Sequence, residues 1–349
     1  MPLACRPLDD AGEAAWDAFV AAHPDGTFFH RAGWRRVIAQ AFGHRTHYLT
    51  TERDGAITGV LPLVNVRSLL FGNTLISVPF CVYGGPLAAD RDSFTALVDA
   101  AGALIGPSGA SALEFRPLAE PPPGWLDDSA WTVRDDLYVT FRKPIAADDE
   151  TNLKSIPRKQ RAVVRKGIEG GLTATVGRDI ETLHRVYAES VRNLGTPVFP
   201  KRYFSAVADI FAGQCDIVVV LDAGQPVSAV MNFYFADTVL PYYGGGTAAA
   251  RRSGANDFLY WEVIRRAAER GLKTFDFGRS KAGTGAFHFK KNWGFEPEWL
   301  EYEYLLPEGR TLPEKNPNNP KYKLAIEAWK KLPLPIANAL GPFFISGLG

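Results

Sequence analysis

Apolar positions along this chain follow two different periods, and the same order of periods occurs twice. Apolar residues spaced three and four apart predict helices, and strict alternation predicts strands. In each half, the pattern predicts two helices, a hairpin of strands, a helix and a final strand. The hairpins turn at 54–55 and 223–224, and the final strands are expected at 113–116 and 275–279. These patterns predict an α/β unit present twice.

Aromatic spacing supports this duplication. The pattern Trp16-x12-Phe29-x4-Trp34 recurs 170 positions later as Val186-x12-Phe199-x4-Phe204. Glycine-rich turns are expected at 83–85 and 243–245. Because a long repeat corresponds to one structural unit, we expect related domains at 1–147 and 148–308.

The remaining residues, 309–349, have the composition of a Pro/Asn-rich linker followed by a short amphipathic tail. Residues 323–331 have the pattern of a helix that Pro333 ends. No segment reaches the roughly 18 apolar residues of a membrane span. The segment 332–349 could instead contact the inner membrane peripherally or pack along the protein.

Composition excludes several classes of protein. With 46% hydrophobic and 22% charged residues, the chain has the composition of a globular protein. A formal net charge of +1 argues against binding of duplex DNA. Three distant cysteines match neither a disulfide framework nor a metal site, and no secretory signal is evident. We therefore expect a cytoplasmic protein without a metal.

The segment 154–166 contains six cations and no acid. Ser155 is expected to cap a helix there, with Pro157 in its first turn. Arg158, Arg161 and Arg165 then share one face, which suits phosphate groups. The alternative is a solvated helix face.

A second anion site is suggested by Arg251-x2-Gly254-x-Asn256, which approaches the Arg/Gln-x-x-Gly-x-Gly/Ala loop of acyl-CoA N-acyltransferases. In such a loop the amides at a helix N-terminus hold a pyrophosphate. Arg251 and Gly254 are thus candidates for binding a donor substrate. A simple turn with a helix cap is the alternative.

The candidate chemistry lies in two neighbouring segments. Alternation over 274–278 sets Asp276 opposite two phenylalanines, with Arg279 and Lys281 beyond the strand end. Over 287–290 a strand pattern would place His288 and Lys290 on the same face of the strand. Amide formation needs a neutral amine and a donor for the oxyanion. Asp276 and His288 would hold or deprotonate the amine, and Lys290 would stabilise the oxyanion.

We expect Lys290→Ala to reduce transfer far more than stability. The alternative is that Asp276 and His288 are structural.

The motifs of other enzyme classes are missing. The sequence has no Gly-x-Ser-x-Gly, no Walker loop and no His-Glu-x-x-His. Hydrolase, kinase and zinc-enzyme functions are therefore disfavoured.

Together these segments resemble the FemAB/FemX family of N-acyltransferases, and in particular the branch associated with the exosortase/PEP-CTERM exopolysaccharide system. The likeness is strongest over 150–300. It is carried by the basic helix, Gly195–Phe204, Tyr243-Gly-Gly-Gly, Phe275–Ser280 and Phe289-Lys290-Lys291-x-Trp293-Gly294.

The resemblance implies two tandem GNAT-like domains, an α/β (α+β) fold with mixed sheets flanked by helices. It also implies transfer of an acyl group from acyl-CoA, or of an aminoacyl group from charged tRNA, to an amine. The acceptor would be a nucleotide- or lipid-linked sugar or peptide precursor. Phe289-Lys290 matches the family's Phe-Lys motif, whose Lys handles the transferred carbonyl. Our own candidates for binding phosphate or acidic sugar groups are Arg158, Arg161, Arg165, Arg279 and Lys281. Tyr243 is expected to shape the cleft, and Phe289 is a further candidate for substrate binding.

The sequence thus favours a FemAB-like acyltransferase of exopolysaccharide or cell-envelope biosynthesis, with no tightly bound cofactor. An aminoacyl-tRNA-dependent peptidyltransferase acting on peptidoglycan-type precursors is one alternative. A non-catalytic GNAT-like binding or scaffold protein is the other.

Overall fold

Helices and strands alternate through both halves of the chain in a computed structural model, which describes residues 3–127, 129–312 and 320–349. The chain divides into two compact units. Unit 1 comprises Met1–Leu137, Leu300–Lys315 and Phe343–Gly349, and unit 2 comprises Tyr138–Trp299 and Asn316–Pro342. Each unit therefore draws on more than one stretch of sequence.

In its described residues, the first half of the chain forms seven strands and four helices, with a 3-10 turn at Phe28–His30. They are β1 (Cys5–Pro7), α1 (Glu13–Ala22), α2 (Trp34–Phe42), β2 (Arg45–Arg53), β3 (Ala56–Ser68), β4 (Gly72–Ser77), β5 (Leu87–Ala88), α3 (Arg91–Ala103), α4 (Ile105–Ser108), β6 (Leu113–Phe115) and β7 (Trp131–Pro144).

The second half of the described chain follows the same plan. Its elements are α5 (Asp149–Ser155), α6 (Arg158–Glu169), β8 (Thr173–Gly177), α7 (Ile180–Leu194), α8 (Lys201–Ile210), β9 (Cys215–Asp222), β10 (Gln225–Phe235), β11 (Thr238–Gly246), α9 (Ala248–Ser253), α10 (Ala255–Glu269), β12 (Thr274–Asp276), β13 (Ser280–Lys281), α11 (Gly285–Asn292), β14 (Pro297–Leu305), α12 (Pro320–Lys331) and α13 (Leu334–Ser346).

The strand order in unit 1 is β1-β2-β3-β4-β6-β14. Pairing is antiparallel except between β4 and β6, which run parallel. Helix α3 packs on the sheet and begins at Asp90, whose carboxylate accepts the amide of Ser93 at 2.9 Å. Leu61, Leu97 and Phe115 are fully buried in the core of this unit.

The strand order in unit 2 is β7-β12-β11-β10-β9-β8. Here too one internal pair, β11 with β12, is parallel, while the others are antiparallel. Helix α10 packs against the sheet and against α6. Val164, Phe275 and Trp293 are fully or almost fully buried in the core of this unit.

This architecture confirms the predicted fold class of two α/β units with mixed sheets. Each unit runs helix, helix, antiparallel hairpin, third strand, helix and parallel strand, as the repeated pattern indicated. The hairpin turns fall at 54–55 and 223–224, as expected. The duplicated pattern is therefore a duplicated fold.

The residues 243–246 are not a turn, contrary to expectation, but the end of β11, paired to β10. Glycine is needed at 245 because helix α7 lies directly over the strand. A side-chain carbon there would be 2.4 Å from the Cβ of Ser190. The glycine run therefore permits close helix–sheet packing.

The basic segment contains two helices rather than one. Pro157 disfavours helical backbone at Ile156, whose ψ is 130°, so α5 ends at Ser155 and α6 begins at Arg158. Ser155 does not cap α6, since its hydroxyl donates to the carbonyl of Asn152 at 2.7 Å.

The tail forms two helices. The predicted helix over 323–331 corresponds to α12, and α13 follows although 332–349 contains three prolines. The predicted linker over 309–321 lies partly outside the described residues. None of the described helices is both long and apolar enough to cross a membrane.

Candidate active site

Asp276 lies buried at the end of β12, with only 2% of its surface exposed. Its Oδ1 accepts the amide N–H of Gly278 at 2.6 Å and the hydroxyl of Thr140 at 3.5 Å. Its Oδ2 lies 3.9 Å from Nε of Arg142. Gly278 has a φ of +64°, a left-handed conformation that favours glycine and turns its amide back toward the carboxylate. The predicted strand over 275–279 therefore ends at Asp276.

Lys290 stabilises the turn that follows Asp276 through hydrogen bonds. Its Nζ donates to the carbonyls of Phe277 and Gly278 at 2.8 Å and to that of Arg279 at 3.1 Å. Burial lowers the pKa of Lys290 to about 7, the charge of Asp276 opposes that shift, and the charge of Arg279 adds to it. Three carbonyls occupy the three N–H groups of the ammonium. Lys290 thus positions the turn, and direct contact with a transferred carbonyl stays a prediction.

The segment that presents Lys290 is a helix, so the strand predicted over 287–290 is wrong. Thr284 caps α11 by accepting the amide of Phe287 at 3.4 Å. In a helix, residues two apart point to different sides. Lys290 is accordingly buried while His288 is exposed, and the two side chains do not share a face.

Two further predicted residues lie at the adjoining strand pair, β13 with β7: Lys281 belongs to β13 and Arg279 directly precedes it. Tyr138 pairs with Lys281 in register, and its ring lies under both cations. The guanidinium carbon of Arg279 is 4.4 Å and the Nζ of Lys281 5.6 Å from the ring centroid. The structure thus brings Asp276, Arg279, Lys281 and Lys290 to one end of the sheet, while their role in the reaction stays a prediction.

Three residues of β7 belong to this group but were not predicted from the sequence. Tyr138, Thr140 and Arg142 alternate along the strand and so point to one face. Alternation was visible in the sequence, but nothing there showed that β7 would pair with β12.

Two parallel strands part beside this group. Among the described residues, β11 and β12 pair only at Thr238 with Thr274 and Val239 with Phe275. Beyond that point β11 continues to Gly246, while β12 ends at Asp276. Tyr242 of β11 faces the turn, since a Cβ on Gly278 would lie 3.5 Å from its ring.

The loop of Arg251 and Gly254 forms the start of α10. Gly254 has a φ of +76° and is the N-cap residue, and Arg251 is exposed. Asn256 accepts the hydroxyl of Ser228 at 2.7 Å, and its Oδ1 would be 2.2 Å from a Cβ on Gly246. The arginine and glycine thus suit a donor phosphate, but Asn256 fills the place where a smaller residue was expected.

The three arginines predicted to bind phosphate lie on the basic helix α6. Arg158 and Arg165 are exposed, and Arg161 donates to the carbonyl of Lys154 at 3.2 Å. Their role in holding phosphates stays a prediction.

Of the two aromatics predicted to bind substrate, Tyr243 is buried in the core and Phe289 is partly buried against it. Tyr243 is buried among rings of α7 and α8, with its hydroxyl 2.6 Å from that of Tyr203. Phe289 packs near Tyr260 and Phe277. Each can therefore shape the site only by packing against other residues of the protein.

Comparison with known proteins decides the enzyme class. Residues 152–291 match the family model described as an acetyltransferase (GNAT) domain. This part of the chain is similar to GNAT domains. The protein is accordingly an acyltransferase, and acyl-CoA fits this domain as donor. No curated protein gives a significant match.

In the part of the chain that the structure describes, no group of three or more His, Cys, Asp or Glu could hold a metal ion.

Solved structures share the whole fold. The crystal structure of FemX aligns with a TM-score of 0.67 and 18% identity over 93% of this chain and 100% of that one. A tandem GNAT protein from the clavulanic acid biosynthesis pathway aligns at 0.56 and 14% over 88% and 99%. The C-terminal domain of a putative lysylphosphatidylglycerol synthetase from Agrobacterium fabrum aligns at 0.56 and 14% over 84% and 91%. At these identities the likeness shows the fold, which is that of tandem GNAT-type proteins.

Unit 1 has a different arrangement at the corresponding strand end. Its strand β6 carries Glu114 where β12 has Asp276, and Arg116 follows where unit 2 has Gly278. Arg116 is 3% exposed, donates to Glu114 at 2.7 Å and also to the carbonyls of Val78 and Cys81. The guanidinium therefore fills the end of the parallel strand pair in unit 1.

The lowered pKa of Lys290 predicts a pH dependence of stability. Between pH 7 and the ordinary value of 10.5, the unfolded chain binds more protons at this site than the folded chain. The free energy of unfolding should therefore rise with pH in that range, by at most about 1.4 kcal/mol per pH unit. Urea titrations of the wild type and Lys290→Met at several pH values isolate this effect. A difference between them that stays constant with pH would contradict it.

Proposed function

We propose that the protein transfers an acyl or aminoacyl group from an activated donor to an amine on an anionic cell-envelope precursor. The observation that carries this proposal is the grouping of Arg142, Arg279, Lys281 and Lys290 with Asp276, beside the parted strands of the GNAT-like domain. Cations at this place suit a phosphate or acidic sugar on the acceptor.

The proposed reaction forms one bond and breaks another. The neutral amine nitrogen attacks the thioester or ester carbon, and the bond from that carbon to sulfur or oxygen breaks. The amine proton passes through solvent or a nearby base, and the thiolate or alkoxide leaves with a proton. In this scheme Asp276 holds the amine, Lys290 keeps the turn in place, and Arg279 and Lys281 bind the anionic part of the acceptor.

Two findings support an envelope acceptor. The motifs shared with the FemAB/FemX family, and with its exosortase-associated branch, favour an exopolysaccharide or cell-wall precursor. One protein of similar fold is named for making lysylphosphatidylglycerol, a phospholipid that carries an aminoacyl group. We infer an amino sugar or peptide linked to a nucleotide or lipid phosphate as the acceptor class.

A donor assay tests the proposal. Purified full-length protein is incubated with labelled acetyl-CoA, or separately with charged tRNA, and with UDP-linked amino sugars, and products are read by mass spectrometry. We expect transfer from acetyl-CoA, and transfer from tRNA alone would identify the peptidyltransferase alternative. Arg279→Gln should raise KM for the acceptor about tenfold with a smaller change in kcat.

Lys291→Gln is the matched control, because Lys291 is an exposed cation on α11. It should leave KM unchanged. Binding of the sugar nucleotides without turnover from either donor would contradict the proposal and identify a binding protein.

A further inference from the structure

A cavity of about 450 Å³ lies within unit 1, among the end of α1 and the segments 84–89 and 117–125. Much of its wall is apolar, with the rings of Phe19, Phe94 and Trp125 and several prolines. Trp125 packs edge-on against Phe94, with ring centroids 5.5 Å apart. Sites for small molecules have volumes of roughly 300 to 1,000 Å³ and mostly apolar walls, so this cavity has the size and lining of such a site.

His30 places a polar atom in this wall. It belongs to the 3-10 turn after α1 and is 1% exposed, and its carbonyl accepts the indole N–H of Trp16 at 2.7 Å. Its Nδ1 accepts the backbone N–H of Thr27 at 3.2 Å. Since a ring nitrogen that accepts a hydrogen bond cannot carry a proton, the proton of the neutral imidazole is on Nε2.

The Nε2 atom of His30 is buried and makes no hydrogen bond within the described part of the protein. Burial lowers the pKa of His30 to about 3, and the charge of His23 adds to that shift. The carbonyls of Gly84 and Gly85 oppose the shift, although neither accepts a hydrogen bond from the ring. The ring is therefore neutral at pH 7. A buried donor without an acceptor is costly, and a ligand that accepts from Nε2 would remove that cost.

The charged residues around the cavity are acids. Asp25, Glu120 and Glu303 line it, and no lysine or arginine is among the lining residues of the described chain. The other histidine of the lining, His23, already contacts the protein: its Nδ1 accepts the amide of Asp25 at 3.1 Å, and its Nε2 is 3.3 Å from the carbonyl of Ala88. An anionic ligand would meet carboxylates here without a lysine or arginine to balance its charge.

We propose that this cavity binds a small organic molecule that has an apolar ring, a carbonyl group and no negative charge. The ring packs against Phe94 and Trp125, and the carbonyl oxygen accepts the Nε2–H of His30. An amide or ester of an aromatic acid has this chemistry. The ligand is neither the activated donor nor the acceptor of the proposed transfer, because both of those are anionic.

Calorimetric titration of the full-length protein with two probes of matched shape tests this site. The probes are 3-phenylpropionamide and 3-phenylpropionate, which share the ring and the carbonyl but differ in charge. We expect saturable binding of the amide, and binding of the carboxylate that is weaker by about tenfold or more.

His30→Asn should weaken binding of the amide by about tenfold. Asparagine can accept the N–H of Thr27 as Nδ1 does, but it has no donor at the position of Nε2. His47→Asn is the matched control, because the Nε2 of His47 in unit 1 is also buried without a hydrogen bond, while His47 does not line the cavity. It should bind the amide as the wild type does.

Ala89→Trp provides a test that does not alter a buried residue. Ala89 is an exposed residue of the lining, so the larger side chain should fill the cavity and abolish binding. Thermal melting should show that the variants fold. No saturable binding of the amide, equal binding of the two probes, or unchanged affinity in either folded cavity variant would overturn the proposal. Because the titration contains no donor and measures no transfer, its outcome is independent of the proposed activity.

Discussion

Lys290→Met is expected to lower the free energy of unfolding by about 3 kcal/mol and to reduce transfer at least a hundredfold. The substitution keeps the volume of the side chain but removes the donor of three hydrogen bonds. The carbonyls of Phe277, Gly278 and Arg279 would then be left without that partner, and Asp276 would lose a neighbouring cation. These contacts change the expectation from sequence that Lys290→Ala would affect mainly transfer.

Denaturant unfolding and initial rates measure the two effects. Lys291→Met is the control, since it removes an exposed lysine from the next position of the same helix and should change neither quantity. A Lys290→Met protein as stable as the wild type would show that the carbonyl contacts contribute nothing to stability. Normal turnover would remove Lys290 from the site.

Asp276→Asn is expected to lower kcat/KM for transfer by a factor of about 10² to 10³. The carboxylate is the acidic member of a group that contains Arg142 and Lys290, and it accepts the amide of Gly278. Asparagine can keep the amide contact but cannot balance the cations or hold an amine by charge. Steady-state rates at saturating donor measure the loss.

Glu114→Gln is the matched control for this variant. Glu114 occupies the corresponding strand position in unit 1, where it is buried against Arg116. We expect Glu114→Gln to reduce stability, because it leaves a buried guanidinium without its acid, but to leave kcat/KM of the folded fraction unchanged. Equal losses of transfer in the two variants would contradict the assignment of the active site to unit 2.

The order of elements could be predicted because it depends on local periodicity and turn chemistry. The Asp54-Gly55 and Ala223-Gly224 turns each join two alternating strands, and both hairpins form as expected. Asp276, Arg279, Lys281 and Lys290 could be grouped because they lie within fifteen residues of one another.

The error at 287–290 had a local cause. Phe-His-Phe-Lys alternates like a strand, but the pattern is too short to separate a period of 2 from a period of 3.6. Thr284 and the two following small residues allowed a helix to start, and this decided the outcome.

The contribution of β7 could not be inferred for a different reason. Arg142 and Asp276 are distant in sequence, and only the antiparallel pairing of their strands places them together. Register between distant strands depends on tertiary packing, which a single sequence does not display.

The guanidinium of Arg116 has a consequence for how many substrates one molecule handles. After the duplication, the acid at the strand end of one copy is paired with an internal guanidinium, while the acid of its twin accepts a backbone amide and a hydroxyl. We therefore expect each polypeptide to engage a single donor at a time, at the strand end of unit 2.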